Sequence, residues 1–226
     1  MVEHCGFRLV LDLGYGTLPR LLDPLDSSVA DGLHAVVITH EHGDHFHAES
    51  VQAIVKNNPA AVVIANSAVG KLLDGLGVAH TVVDGGGKTT IPAGSTAGDA
   101  LTVEGFDWKH EEIFEEMGMV QNTGYLISAP ATGADAGKNF FIPGDAYCVP
   151  GKPVDVLALP IAGPWCRLPD ALRYAIKVKP RAAFPIHDAM VVPATRGFVY
   201  QLAANILKEK GGIAFNGIAD GAEAEF

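Results

Sequence analysis

The run Ala35-Val36-Val37-Ile38-Thr39-His40-Glu41-His42-Gly43-Asp44-His45 decides how this chain is read. An apolar stretch of the length of a buried strand ends in a polar segment that crowds three imidazoles and the carboxylate of Asp44, besides Glu41, into six positions. Successive side chains of a strand point to opposite faces, so residues two apart share one. At the strand end, His40 and His42 therefore reach one ion, while Asp44 and His45, on the turn that follows, swing toward a second. Imidazole nitrogen and carboxylate oxygen are ligands that zinc, iron and manganese accept. The spacing itself proposes a two-metal site. A plain polar turn is the rival reading, and it leaves several imidazoles in want of partners.

A catalytic divalent ion takes about three protein ligands and keeps a position open for water. Two ions therefore need more than this run supplies, and three further segments offer it. Lys109-His110-Glu111 follows the strand-like Leu101 to Trp108. Phe140-Phe141-Ile142-Pro143-Gly144-Asp145 is an apolar run ending in Gly-Asp, and Ala182-Ala183-Phe184-Pro185-Ile186-His187-Asp188 is another ending in His-Asp. Each candidate stands where a buried strand gives way to a loop, where active-site groups gather on a rigid sheet. Taken singly, Gly144-Asp145 reads equally as a turn, and Lys109-His110-Glu111-Glu112 as an exposed charged loop.

The order His-x-His-x-Asp-His, a lone His, a Gly-Asp after a strand and a Pro-x-His resembles the metallo-β-lactamase-fold hydrolases. Within them it is most similar to the bacterial branch related to L-ascorbate-6-phosphate lactonases. The resemblance runs from Arg8-Leu9-Val10-Leu11-Asp12 through Phe184-Pro185-Ile186-His187-Asp188-Ala189-Met190. It implies a four-layer αβ/βα sandwich with its metals at the seam between two sheets. It also implies a ligand set: His40, His42 and His110 on one ion, Asp44, His45 and His187 on the other, and Asp145 bridging. The cofactor is then two divalent metal ions, zinc foremost, with manganese or iron as alternatives. The chain departs from the family pattern twice. Asp12-Leu13 stands where Asp-Pro is usual, and Glu3-His4-Cys5 lies only a few residues before Gly6-Phe7-Arg8. The first hairpin is therefore expected to be shortened or missing, through a lost first strand or a truncated start, and no role is assigned to His4.

Composition sets the outer bounds. At 226 residues, 48% of them apolar, the chain can bury a sizeable core, and residues 1–226 are read as a single α/β domain. No apolar run approaches the roughly 18 residues of a spanning helix, and no charged-then-apolar leader opens the chain. Cys5, Cys148 and Cys166 form an odd set without paired spacing, which suits a reducing compartment. A soluble, cytoplasmic protein is expected. The formal net charge is −10, from 16 basic against 26 acidic residues, and the basic ones are dispersed. Nucleic-acid binding needs clustered basic side chains to neutralise phosphates, so a nuclease is disfavoured. The expected partner is a small-molecule substrate, neither nucleic acid nor membrane, with a homo-oligomer left open.

Periodicity places the elements. Strands are expected at Arg8 to Asp12, Ala35 to Thr39, Ala61 to Ala65, His80 to Val83, Thr89 to Ile91, Ala100 to Phe106, Gly124 to Ser128, Asn139 to Ile142, Val154 to Pro160 and Ala182 to Ile186. Ile213 to Phe215 is expected to return to the sheet edge. Helices are expected at Ala48 to Lys56, at Ser67 to Leu76 with Ser67 as its cap, at Pro169 to Lys179, and at Thr195 to Lys210 as a long amphipathic element. Leu18 to Val29 reads as a loop or short helix, Ala129 to Lys138 as a hairpin loop, and the acidic tail from Asp220 to Phe226 as frayed. No internal repeat shows by spacing.

Several residues outside the ligand set carry expectations. Asp12 is expected either to accept a hydrogen bond from a ligand imidazole, as partners behind metal ligands do, or merely to cap its strand. Tyr147, Trp165 and Asn122 are candidate substrate-binding groups lining the pocket, with wall packing as the alternative. His34, His47 and His80 are expected to bind no metal, with His47 near enough to rim the cavity.

The expected activity is hydrolysis. Two ions about 3.5 to 4 Å apart share a water and bring its pKa from 15.7 toward neutrality, and one of them polarises the oxygen that develops charge. Asp44 is of the right type to orient that nucleophile or to pass a proton to the leaving group. Small esters, lactones and phosphodiesters all fit, and the branch resemblance favours a lactone or small carboxyl ester. Two rivals stand beside this reading. One is a metal-binding protein of this fold without turnover. The other is an iron oxidoreductase, which in the resembling proteins needs an added flavin domain and a carboxylate within the His motif that this chain lacks.

Overall fold

The structure, a computed structural model, describes residues 1–15, 32–92, 100–131, 136–218 and 222–226. Leu18 to Val29 lies outside the described residues. Two sheets form. The first runs in the order β1 (Val2–His4), β2 (Phe7–Leu11), β3 (Ala35–Ile38), β4 (Val62–Ala65), β5 (Thr81–Val82), with helices α1 (Ala48–Asn57) and α2 (Ser67–Gly75) in the connections. The second holds β6 (Lys88–Pro92), β7 (Ala100–Lys109), β8 (Gln121–Ser128), β9 (Asn139–Ile142), β10 (Val156–Pro160), β11 (Ala182–Ile186) and β12 (Ala214–Phe215) as neighbours in sequence order. Helices α3 (Leu168–Val178) and α4 (Pro193–Gly211) connect its last strands, which run parallel.

Alternation along the strands dictates the layers. In β3, Ala35 and Val37 join Leu9 and Ile64 against Val103, Tyr125, Ile127 and Ile142 of the second sheet. Val36 and Ile38 turn the other way, onto Val51 and Ile54 of α1 and Val69 and Leu73 of α2. The second sheet repeats the arrangement, with Phe141, Leu157 and Leu159 under Ala171, Leu172 and Ala175 of α3 and Ala203 and Leu207 of α4. Both faces of each sheet are covered, which explains why their strands read as continuous apolar runs. The result is the four-layer αβ/βα sandwich of the metallo-β-lactamase fold.

Four local expectations need correction. The first hairpin is neither missing nor without its first strand. β1 pairs antiparallel with β2 from Val2↔Leu9 to His4↔Phe7, and Cys5 (φ 54°) and Gly6 (φ 79°) close it with the two-residue turn that suits strand twist. Asn66 rather than Ser67 caps α2: its Oδ1 accepts the Val69 N–H at 3.0 Å, while the Ser67 hydroxyl donates to Gln121 Oε1 at 3.0 Å. Helix α4 is poorly amphipathic, burying Ala203 and Leu207 while Phe198 stands 71% exposed. The tail's last residue is also not free, since the Phe226 ring packs at 5.3 Å on Phe184. Ser128 and Asn139 pair across the hairpin whose loop was expected at Ala129 to Lys138, of which residues 132–135 lie outside the described set. No helix among the described residues is long and apolar enough to cross a membrane.

Candidate metal centre

The ligand candidates all leave strand ends that open on one edge of the sandwich. His40 and His42 follow β3, His110 follows β7, Asp145 follows β9 and His187 follows β11. Two ligand groups result. Donor atoms of His40, His42 and His110 lie within 4.8 Å of one another, and so do those of Asp44, His45, Asp145 and His187. Asp145 joins the groups. Its Oδ2 is 3.2 Å from His187 Nε2, 3.6 Å from His110 Nε2 and 4.0 Å from His40 Nε2, and its Oδ1 is 3.1 Å from His45 Nε2.

Four of the five rings are aimed from behind. His40 Nδ1 meets Thr39 Oγ1 at 3.0 Å, His45 Nδ1 meets Asp12 Oδ2 at 2.8 Å, His187 Nδ1 meets the Ala162 carbonyl at 2.8 Å, and His110 Nδ1 meets the Glu111 carbonyl. An acceptor at Nδ1 places a proton there and turns Nε2 inward, where it can ligate a metal whenever it carries no proton. The Nε2 atoms of His40, His45, His110 and His187 and Asp145 Oδ1 are buried without a hydrogen-bond partner. A buried polar group left unsatisfied costs about 1–3 kcal/mol, so five converging orphans of metal-ligand type fit bound cations and little else.

Asp12 stands behind both groups. It leaves β2 with φ 51°, a strained value for a non-glycine residue, and its carboxylate accepts the Thr39 N–H at 2.8 Å, the Thr39 hydroxyl at 2.9 Å and the His45 Nδ1–H. The Thr39 hydroxyl, donating to Asp12, accepts from His40 Nδ1–H. One carboxylate thus steadies a ring in each group. His187 is likewise left-handed, at φ 57°. The Thr39 carbonyl is stitched to both halves, by the Asn66 amide at 2.9 Å and by the Thr123 N–H of the second sheet at 3.0 Å.

The two groups differ in charge. Burial, reinforced by the His45 imidazole, pushes His40 down to about 2, and burial with His110 lowers His42, so both rings are neutral. In the other group burial opposes the charge on His45, but Asp12 and Asp145 outweigh it and raise the ring well above its ordinary value. Burial opposes His187 too, and the carboxylates of Asp145 and Asp44 beside its Nε2, at 3.2 and 3.3 Å, raise it to about 10. The His187 imidazole beside it is the main reason Asp44 falls to about 2. Burial alone would raise Asp145, yet contacts with His110, His187 and His45 hold it far below the carboxylate range.

Two of the substrate-binding expectations do not match the geometry. Asn122 is fully buried and both ends of its amide are engaged: its Oδ1 accepts the Asp145 N–H at 3.0 Å and its Nδ2 donates to the Pro143 carbonyl at 2.9 Å. It fixes the turn that presents Asp145, and Gly144 permits this, since φ is 66° and a Cβ there would sit 2.2 Å from Asn122 Oδ1. The Tyr147 hydroxyl is directed to Cys166 Sγ at 3.3 Å and its ring packs on Trp165, so it offers a ring face rather than a donor. Trp165 does border the centre, its ring 6.2 Å from that of His110 and 5.8 Å from that of His187. Its N–H donates to Asp145 Oδ2 at 2.8 Å, a contact that no motif announced. His34, His47 and His80 stand outside both groups, bonded to the Arg8 N–H, the Ser50 hydroxyl and the Val78 carbonyl.

Comparison with known proteins gives the family and the fold. Residues 3–187 match the family model described as the beta-lactamase superfamily domain, and the chain belongs to that superfamily. It is 34% identical over 203 residues to the Mycobacterium tuberculosis protein Rv0786c, spanning 88% of this chain and 89% of that one. The fold is shared with Igni18, a metallo hydrolase from Ignicoccus hospitalis, at TM-score 0.66 and 19% identity over 99% of this chain and 93% of that one. It is shared as well with an isothiocyanate hydrolase from Delia radicum gut bacteria, at TM-score 0.64 and 18% identity over 100% and 95%. Family membership and the intact His and Asp set together make this chain a metal-dependent hydrolase.

Proposed function

We propose that the hydrolase works with two divalent ions, zinc foremost, and cleaves a small ester, lactone or phosphodiester, a lactone or carboxyl ester being favoured by the branch it resembles. The observation that carries this is the pair of ligand groups meeting at Asp145, with four buried Nε2 atoms turned inward and lacking hydrogen-bond partners. His40, His42 and His110 would hold one ion, and Asp44, His45 and His187 the other, with Asp145 shared. Ions bound there supply a Lewis acid and lower the pKa of a coordinated water.

The chain's own groups do the rest. Asp44 is ionised, 44% exposed at its side chain, and 3.3 Å from His187 Nε2, so its carboxylate can take a proton at the mouth of the site and deliver it to a leaving group. Trp165 and Tyr147 provide an apolar wall. The segment after His110 exposes Phe114, Met117 and Met119, which suits a substrate with an apolar portion. The net charge of −10 repels long polyanions, which disfavours nucleic acid. Three cysteines without paired spacing suit a reducing compartment, and we place the protein in the cytoplasm, acting as one domain.

The test is a panel of p-nitrophenyl esters, lactones and phosphodiesters, with an isothiocyanate added because one fold neighbour is named for that substrate. Hydrolysis of a member of the first three classes, abolished by chelator and restored by zinc or manganese, is expected. Metal-loaded protein inert toward the whole panel would favour the reading of a metal-binding protein without turnover. Nuclease activity lost in His42→Ala would overturn the small-molecule assignment.

A further inference from the structure

We propose that Trp165 is a positioning residue for the shared carboxylate, and that the turn from Ala162 to Trp165 is one clamp setting how Asp145 is divided between the two ligand groups. This rests on the reading that the site binds metal ions.

The backbone of Asp145 is pinned on both sides, its N–H by Asn122 and its carbonyl by the Glu111 N–H at 2.9 Å. The carboxylate beyond it is not fixed by those bonds, because the terminal torsion of an aspartate is broad and roughly two-fold. A carboxylate free to turn can put both oxygens on one ion and abandon the other. Among the described residues, the Trp165 N–H gives the Asp145 carboxylate the one hydrogen bond from a group outside the ligand set. It takes a lone pair of Oδ2, the oxygen that faces His187 as well as His110 and His40, and so keeps Oδ1 turned toward His45. The indole thus holds the orientation in which the carboxylate spans both groups.

The same turn holds a second ligand. The Ala162 carbonyl accepts from His187 Nδ1, and Gly163 brings the ring and the indole together. At φ 147° a side chain is strained there, and a Cβ would meet the His187 ring at 3.1 Å and Trp165 Nε1 at 3.2 Å. Trp165 is further braced by the Tyr147 ring, whose hydroxyl is tied to Cys166 in that loop. Four consecutive residues therefore position the shared ligand and one ligand of the second group. Partners behind metal ligands are worth about 10- to 100-fold in metal affinity.

The experiment is a calorimetric zinc(II) titration of the full chain against Trp165→Phe, which keeps an aromatic wall and deletes only the donor. The variant should melt like wild type without metal yet bind zinc about 10- to 100-fold more weakly. Gly163→Ala, which crowds both side chains, should weaken binding in the same direction. Unchanged zinc affinity in Trp165→Phe would overturn the proposal. Should that variant fail to fold, Trp108→Phe leaves Trp165 as the only indole of the two in the chain, and its N–H proton resonance decides. A strongly hydrogen-bonded resonance that moves as zinc is added supports the clamp, and one at the free-indole position that ignores zinc overturns it. A wild-type chain that takes up no zinc would instead refute the metal-site reading beneath it.

Discussion

The two ligand groups lie side by side yet are built on opposite electrostatic terms. His40, His42 and His110 form an imidazole set, and the shifts of His40 and His42 keep those two rings neutral. Asp44, His45, Asp145 and His187 form a charged cluster in which these two carboxylates, with Asp12 behind His45, hold two imidazoles protonated. An ion entering the first group competes with little. An ion entering the second must displace protons, and in exchange it finds two negative charges already in place.

Asp145 is where the comparison breaks most severely. Asp145→Ala removes a ligand from both groups and should cost the protein both ions and all activity, read by elemental analysis of purified protein. Retention of full metal content would show that the groups do not share it. His42→Ala and His187→Ala should each lose one ion, and a different one, with His42→Ala sparing the ion held by Asp44 and His45. Loss of both ions in either variant would mean the groups bind only as a unit.

Proton competition should separate the groups next. His187, raised to about 10, is protonated at neutral pH, whereas His40, lowered to about 2, is not. Binding at the second group therefore releases protons, and its affinity should weaken by about tenfold per pH unit for each proton released as pH falls, while the first group should change little from this cause. Titrations of His42→Ala and His187→Ala across neutral pH would expose equal slopes if the assignment were wrong. Asp12→Asn touches both groups, through His45 directly and His40 by way of Thr39, and should cost about 10- to 100-fold in zinc affinity. Thr39→Val should have the smallest effect, about tenfold and confined to the first group, because it removes only the relay between Asp12 and His40.

How much of this was legible in the sequence follows from where each determinant lies. The ligands were readable because metal chemistry demands few residue types, and His40 to His45 brings four of them together locally. The layers were readable because strands such as Ala35–Ile38 and Phe140–Ile142 are apolar on both faces. What escaped depends on long-range contact. Asn66 and Ser67 are both good cap residues, and Gln121, far along the chain, engages the Ser67 hydroxyl. Asn122 looked like a cavity amide because nothing nearby in sequence shows Gly144 and Asp145 folding onto it. Trp165 is 20 residues from the carboxylate it holds. The first hairpin depended on Cys5 accepting a left-handed conformation, which its residue type did not suggest.

The most direct test of the account is the crystal structure of the zinc-loaded chain, with anomalous scattering used to place the metal. Two peaks are predicted, one bounded by His40, His42 and His110 and the other by Asp44, His45 and His187, with the Asp145 carboxylate between them. A single peak, metal elsewhere on the chain, or a His187 ring turned away from His45 would contradict it.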